Sequence, residues 1–271
     1  MTSLAGKPIS QNGLGLIRLT WKDDVTPDEK AFGILKAALD AGVNVWNGAD
    51  FYGTPDHNLL HLMNRYFTRY PEDAEKVVLT VKSGIVGMRT FTMDGSPVGV
   101  RNFVDQTVGA LSEMVKEGKI GGIQLSEVGS TTIRRASAVA SIDMVEAEIG
   151  LWATDVFEND VAQTSAELGI PMVAHTPLGA GMLTGQIKSL DDIPANDYHQ
   201  FFPRFQPENF NANLQLISKI SDLTAEENCT SAQLALSWIK CQSSRVDMPI
   251  SIPVAGHGRK TGSRKMQRMY P

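Results

Sequence analysis

The sequence predicts an α/β fold of the TIM type, a parallel (β/α)8 barrel that is incomplete, with seven recognisable strands. Three observations predict it. Short apolar runs alternate with helical patterns along nearly the whole chain, which calls for right-handed βαβ units and a parallel sheet. No GxGxxG follows the first strand, so a doubly wound dinucleotide-binding sheet lacks its fingerprint. The 271 residues contain no linker-like stretch and match one barrel of about 250 residues.

The elements follow in order. A first strand starts near Leu14, and Trp21 lies on the loop after it, where it could line a pocket. Residues 27–41 place Ala31, Ile34, Leu35, Ala38 and Leu39 on one helical face, with Thr26 as N-cap, Pro27 at the first helical position and Gly42 as the stop. A strand at 43–46 runs into the loop NGADFYGTPD, a helix is expected at 57–66, and VVLTV at 77–81 reads as a fully buried strand. Then come a helix at 103–116, a strand at 120–125, a helix at 131–140, a strand at 144–149, a helix at 156–168 and a strand at 171–174. An irregular stretch near 193–211 precedes helices at 214–227 and 231–240 and a last strand at 249–252. The count is one strand short of closure. Between the third and fourth of these strands lies a turn-rich insert with a hairpin signal, MDGSP at 93–97, and 88–92 is where a missed strand would fall. Residues 1–255 form the barrel domain in this reading.

Composition narrows the function. With 42% hydrophobic residues the chain is not a disordered one, and its formal net charge of -5 argues against a protein that coats nucleic acid. Cys229 and Cys241 are the only cysteines, so no disulfide framework is expected. MTSLAGKPIS lacks the start of a secretory signal and no run spans a bilayer, so the expected location is cytoplasmic, with no membrane partner. Residues 256–271 carry Arg259, Lys260, Arg264, Lys265 and Arg268 without an acidic residue. This basic tail reads as disordered and solvated, with a phosphate clamp or nuclear-import patch as the functional alternative.

A barrel of this kind carries its chemistry at the C-terminal ends of its strands. Those ends hold Asn47, Asp50 and Tyr52, then Lys82 and Ser83, then Gln124, Ser126 and Glu127, then Glu146 and Glu148, and finally His175 and Thr176. Tyr52 and Lys82 leave adjacent strands. An ammonium beside a phenol favours the phenolate, and a phenol so poised can protonate a carbonyl oxygen as hydride reaches the carbon. His57 and His61 have metal-ligand spacing on a helix but no third ligand, so they read as a solvated face and no metal is expected.

Six blocks carry a resemblance: WNGADFYG at 46–53, LTVK at 79–82, KEGKIGGIQLSEV at 116–128, VEAEIGLW at 145–152, GIPMVAHTPLGAGMLTG at 169–185 and SAQLALSWI at 231–239. In order and spacing the chain resembles an aldo-keto reductase, most of all the fungal pyridoxal reductase branch. The resemblance implies an NADPH-dependent carbonyl reductase of a small-molecule aldehyde or ketone, with pyridoxal as candidate. It implies Tyr52 as proton donor and Lys82 as its partner. Ser126 with Glu127, and Glu146, would meet the nicotinamide carboxamide, His175 would stack on its ring, and Thr176, Leu178 and Ala180 would wrap the pyrophosphate. The chain departs from the family at three places. Asn47 stands where the family has a catalytic aspartate, the fourth family strand is missing, and the tail replaces a helix that grips the 2′-phosphate. These departures leave open a catalytically impaired relative that binds nucleotide or folds poorly.

Overall fold

The computed structural model describes residues 3–21, 25–83, 103–193 and 197–256. Seven parallel strands form one curved sheet: β1 (Gly13–Gly15), β2 (Val45–Ala49), β3 (Val78–Lys82), β4 (Gln124–Ser126), β5 (Met144–Glu148), β6 (Met172–His175) and β7 (Ser251–Gly256). Their order is β3-β2-β1-β7-β6-β5-β4, so β3 and β4, consecutive in the chain, are the two edges of the sheet. Among the described residues the result is a nearly closed barrel with its seam between them. Positions 88–92 and the MDGSP turn lie outside the described residues.

Helices wrap the outside: α1 (Asp28–Asp40), α2 (Leu59–Arg69), α3 (Gly109–Lys116), α4 (Ser130–Val139), α5 (Val161–Glu167), α6 (Pro207–Glu226) and α7 (Ser231–Gln242). Local rules set their ends. Gly42, at φ +77, closes α1 with its N–H on Leu39, while Val43 N–H reaches Ala38; the left-handed glycine is what lets the chain reverse there. Asn58 caps α2 by accepting from the His61 N–H, and the His61 ring accepts in return from Asn58 N–H.

The strands obey a period of two. Outward residues pack under the helices: Leu14, Trp46 and Leu79 with α1 and α2, and Leu125, Val145, Ala147, Met172 and Ala174 with α4, α5 and α7. Inward residues are apolar at the bottom, where Val78, Met144, Val173, Ile252 and Val254 meet Leu4. Two or four residues further up the same strands the inward positions turn polar, at Thr80, Lys82, Glu146, Glu148 and His175. Gly48 on β2 is fixed by crowding, because a Cβ there would collide with the Leu59 side chain of α2.

Several expectations need correction. The third strand is not fully buried: as a sheet edge it leaves Val81 38% exposed. Thr26 does not cap α1; the chain enters the helix one residue later, with Pro27 at the N-cap and no side-chain cap bond. His57 is not helical but pairs with Thr54 in a two-residue ribbon, so His57 and His61 do not share a helix face. The helix at 103–116 opens with a π-helical segment, Phe103–Val108. That at 156–168 is divided into a short turn, Asp155–Phe157, and α5. The N-terminal hairpin of Ser3–Leu4 and Lys7–Pro8 was not foreseen; its strands are too short to show a period.

Candidate active site

Three inward side chains meet at the barrel mouth because their strands are in register. Asn47 lies opposite Thr80, and Ser126 opposite Glu146. Lys82 Nζ donates to Asn47 Oδ1 at 2.9 Å and to Glu146 Oε1 at 2.8 Å. Asn47 Nδ2 donates to Glu146 Oε2 at 2.8 Å and to Thr80 Oγ1 at 3.0 Å. Gln124 on β4 donates to the same Glu146 oxygen. Glu146 is 1% exposed and Asn47 4% exposed. Every atom of the Asn47 amide therefore faces a partner of the right polarity: its oxygen meets an ammonium and its nitrogen a carboxylate.

Tyr52 stands over this cluster, with the Lys82 Nζ 5.7 Å from its ring centroid. Phe51 and Trp21 hold the ring edge-on, with centroids 5.2 and 5.6 Å away. Trp21, expected as a residue that could line a pocket, thus lies beside the phenol. Asp50 is tied to β3 by its N–H on the Lys82 carbonyl and by its carboxylate on the Ser83 hydroxyl.

A second polar group rims the opposite side. His175 Nε2 and Glu127 Oε1 are 2.5 Å apart, and His175 Nδ1 meets Thr176 Oγ1 at 2.9 Å. Glu127 also accepts the Glu148 N–H at 2.8 Å. Desolvation pushes the Glu127 carboxyl up, but the His175 ring and that N–H outweigh it and hold the group below its ordinary value. Arg204 reaches Glu148 with both nitrogens, at 2.8 and 3.0 Å. Beyond β6 the backbone is left-handed at Thr176, Gly179, Ala180 and Gly181, and beyond β4 at Glu127 on the same rim. Such strained turns gather at functional sites. The Leu178 side chain points away into a core with Met182 and Leu183, so only its backbone can face a ligand.

The expected site residues therefore divide. Tyr52, Lys82 and Asn47 come together, and Glu127, His175 and Thr176 form the opposite rim next to Ser126. Glu146, expected to meet a carboxamide, has both its oxygens engaged inside the barrel by Lys82, Asn47 and Gln124. Among the described residues no group of three or more His, Cys, Asp or Glu side chains gathers as a metal would need.

The aldo/keto reductase family profile matches residues 13–106 and 90–254. The chain belongs to the aldo/keto reductase family. It is 30% identical over 284 residues to a probable pyridoxal reductase 2 of Schizosaccharomyces pombe, covering 92% of this chain and 84% of that one. It is 33% identical to a putative pyridoxal reductase of Saccharomyces cerevisiae, over 84% of this chain and 78% of that one. Among solved structures, a glycerol dehydrogenase from Gluconobacter oxydans shares the fold with a TM-score of 0.77 at 20% identity, covering 98% of this chain and 88% of that one. The two family segments meet between β3 and β4, at the seam of the sheet. Within this aldo/keto reductase, sequence reasoning missed Thr80 and Arg204. The alternation Val78, Thr80, Lys82 along one inward face was the available signal for the first; nothing local marked the second.

Proposed function

We propose that this aldo/keto reductase is an NADPH-dependent aldehyde reductase acting on pyridoxal, with Tyr52 as the proton donor. The observation that carries the proposal is the Lys82 ammonium 5.7 Å from the Tyr52 ring at the mouth of the barrel. The pyridoxal reductases among its relatives support the substrate. The residues fit a nicotinamide cofactor. The buried acceptor Gln124 Oε1 has no hydrogen-bond partner among the described residues, beside the strand end where a carboxamide would donate. Ser126, Glu127 and His175 complete that rim, and the backbone of Thr176, Leu178 and Ala180 offers the loop for a pyrophosphate.

When bound, the nicotinamide supplies the hydride that reduces the carbonyl carbon. Tyr52 gives its proton to the carbonyl oxygen, and the charge of Lys82 steadies the phenolate left behind. Trp21 and Phe51 exclude water from that side of the phenol and set its angle. A pyridine aldehyde is flat and aromatic, which suits a pocket edged by Trp21 and Phe51.

The test is NADPH oxidation with pyridoxal and with a generic aromatic aldehyde. Tyr52→Phe should lower kcat by about 10²–10⁴-fold, and equal turnover by the variant and wild type would sink the assignment. Among the described residues the sheet is open between β3 and β4, and this favours a second reading, a nucleotide-binding relative without turnover. Tight NADPH binding in a fluorescence titration, with no oxidation of it by any aldehyde, would select that one.

A further inference from the structure

An ammonium enclosed in a barrel needs an anion, and the residue that shares strand ends with Lys82 on its own side, Asn47, is neutral. The charge comes from across the barrel. Glu146 on β5 is 1% exposed and meets Lys82 Nζ at 2.8 Å. Asn47 and Gln124 donate to its other oxygen. We propose that Glu146 is the counter-ion of Lys82, a positioning residue that holds the ammonium directed beside Tyr52 rather than a ligand of the nicotinamide. The proposal rests on the reductase reading above for its catalytic consequence.

The geometry gives the idea its sharpest form. One positive and one negative side chain make the cluster neutral, and Asn47 joins them as an amide must, oxygen to ammonium and nitrogen to carboxylate. Asn47→Asp in the wild-type background puts two carboxylates face to face across one lysine. Glu146→Gln leaves the half-buried lysine without an anion. The double variant restores neutrality, with the charge now on β2. Each single change should therefore harm, and the second should repair the first. A merely space-filling or hydrogen-bonding role for Glu146 has no reason to show this reversal. Among the described residues the other ionisable groups tied to Lys82 are Tyr52 and Asp50. Asp50 is engaged by Ser83 and meets Lys82 only through the backbone, so neither supplies the missing anion.

The experiment compares wild type, Glu146→Gln, Asn47→Asp and the double variant as full chains. It measures kcat, the dissociation constant for NADPH, and the urea midpoint of unfolding. Glu146→Gln should lower kcat by about tenfold or more while changing NADPH binding less than about twofold. The double variant should recover kcat to within about threefold of wild type, and its urea midpoint should exceed that of either single variant. A double variant no better than the worse single one overturns the proposal. So does a Glu146→Gln protein that keeps its kcat but loses about tenfold in NADPH affinity, because that result returns Glu146 to the carboxamide. If wild type itself turns over no aldehyde, the reductase reading falls alone, and the urea midpoints of the four proteins still decide the counter-ion.

Discussion

Among the described residues two carboxylates are buried beside lysine near a tyrosine, Asp73 and Glu146, and only one of them belongs to the candidate site. Asp73, on the turn after α2, accepts from Lys36 at 2.6 Å, Lys76 at 2.9 Å and the Tyr66 hydroxyl at 2.8 Å. Glu146, inside the barrel, has one lysine and two amides. The ingredients match but the placement of the phenol does not. Tyr66 aims its hydroxyl at the carboxylate, and burial, reinforced by that negative neighbour, pushes its ionisation far up. Tyr52 has an ammonium 5.7 Å from its ring centroid. An anion beside a phenol opposes its ionisation; a cation beside it favours the trade of a proton.

The two clusters should respond very differently to loss of a lysine, and that is the largest effect expected. Lys82→Met leaves Glu146 charged, enclosed and without its cation, which should cost about 3–5 kcal/mol of unfolding free energy and abolish turnover. Lys36→Met leaves Asp73 with Lys76 and Tyr66, and the lost lysine side chain is 33% exposed. Its cost should stay near 1 kcal/mol. Urea unfolding of both variants measures the contrast, and equal losses would erase the distinction drawn between the clusters.

The difference was only partly legible in the sequence. Strand after strand could be read from short apolar runs between helical patterns, and the strand ends named Asn47, Tyr52, Lys82 and Glu146 as mouth residues. Such a run tells where a strand lies, not whom its residues meet. Lys82 and Glu146 are 64 positions apart and come from strands that flank the seam and β4, so only the curvature of the sheet joins them. The resemblance set Glu146 beside the cofactor, and nothing local in the sequence pointed to Lys82 as its neighbour. Asp73 gave still less warning. Its partner Lys36 is 37 positions away on α1, and a single acid in a polar turn is usually solvated. The cap of α1 failed for a different reason, because Thr26 has the right side chain but the chain turns helical one residue too late for it.

Acid unfolding should separate the clusters next. Burial pushes Asp73 up, yet the bonds from Lys36, Lys76 and Tyr66 prevail and lower it from 3.8 to about 2. A depressed carboxylate adds stability that is complete above the unfolded value and is lost as pH falls through the folded one. Stability should therefore drop between about pH 4 and pH 2 by on the order of 2 kcal/mol from this group. Asp73→Asn should lower stability at pH 7 by a similar amount, flatten that acid slope, and leave kcat unchanged. A variant with the wild-type slope would show that the lysines do not hold the charge.

The smallest effect is the most pointed, because it compares one atom in each cluster. Tyr66→Phe removes a hydroxyl that is fully enclosed and bonded to Asp73, so the carboxylate keeps two ammonium partners and loses one neutral donor. The expected cost is about 1 kcal/mol. The acid transition should move slightly upward in pH, since one of the bonds that lower Asp73 is gone, and turnover should not change. Tyr52→Phe makes the same chemical deletion beside Lys82, where catalysis, not stability, should suffer. Thermal unfolding and kcat measured on both proteins give a crossed pattern if the position of the phenol relative to the charges decides its role. Parallel losses in the two would mean that Tyr52 is one more packing residue, and that the mouth of the barrel works by some other group.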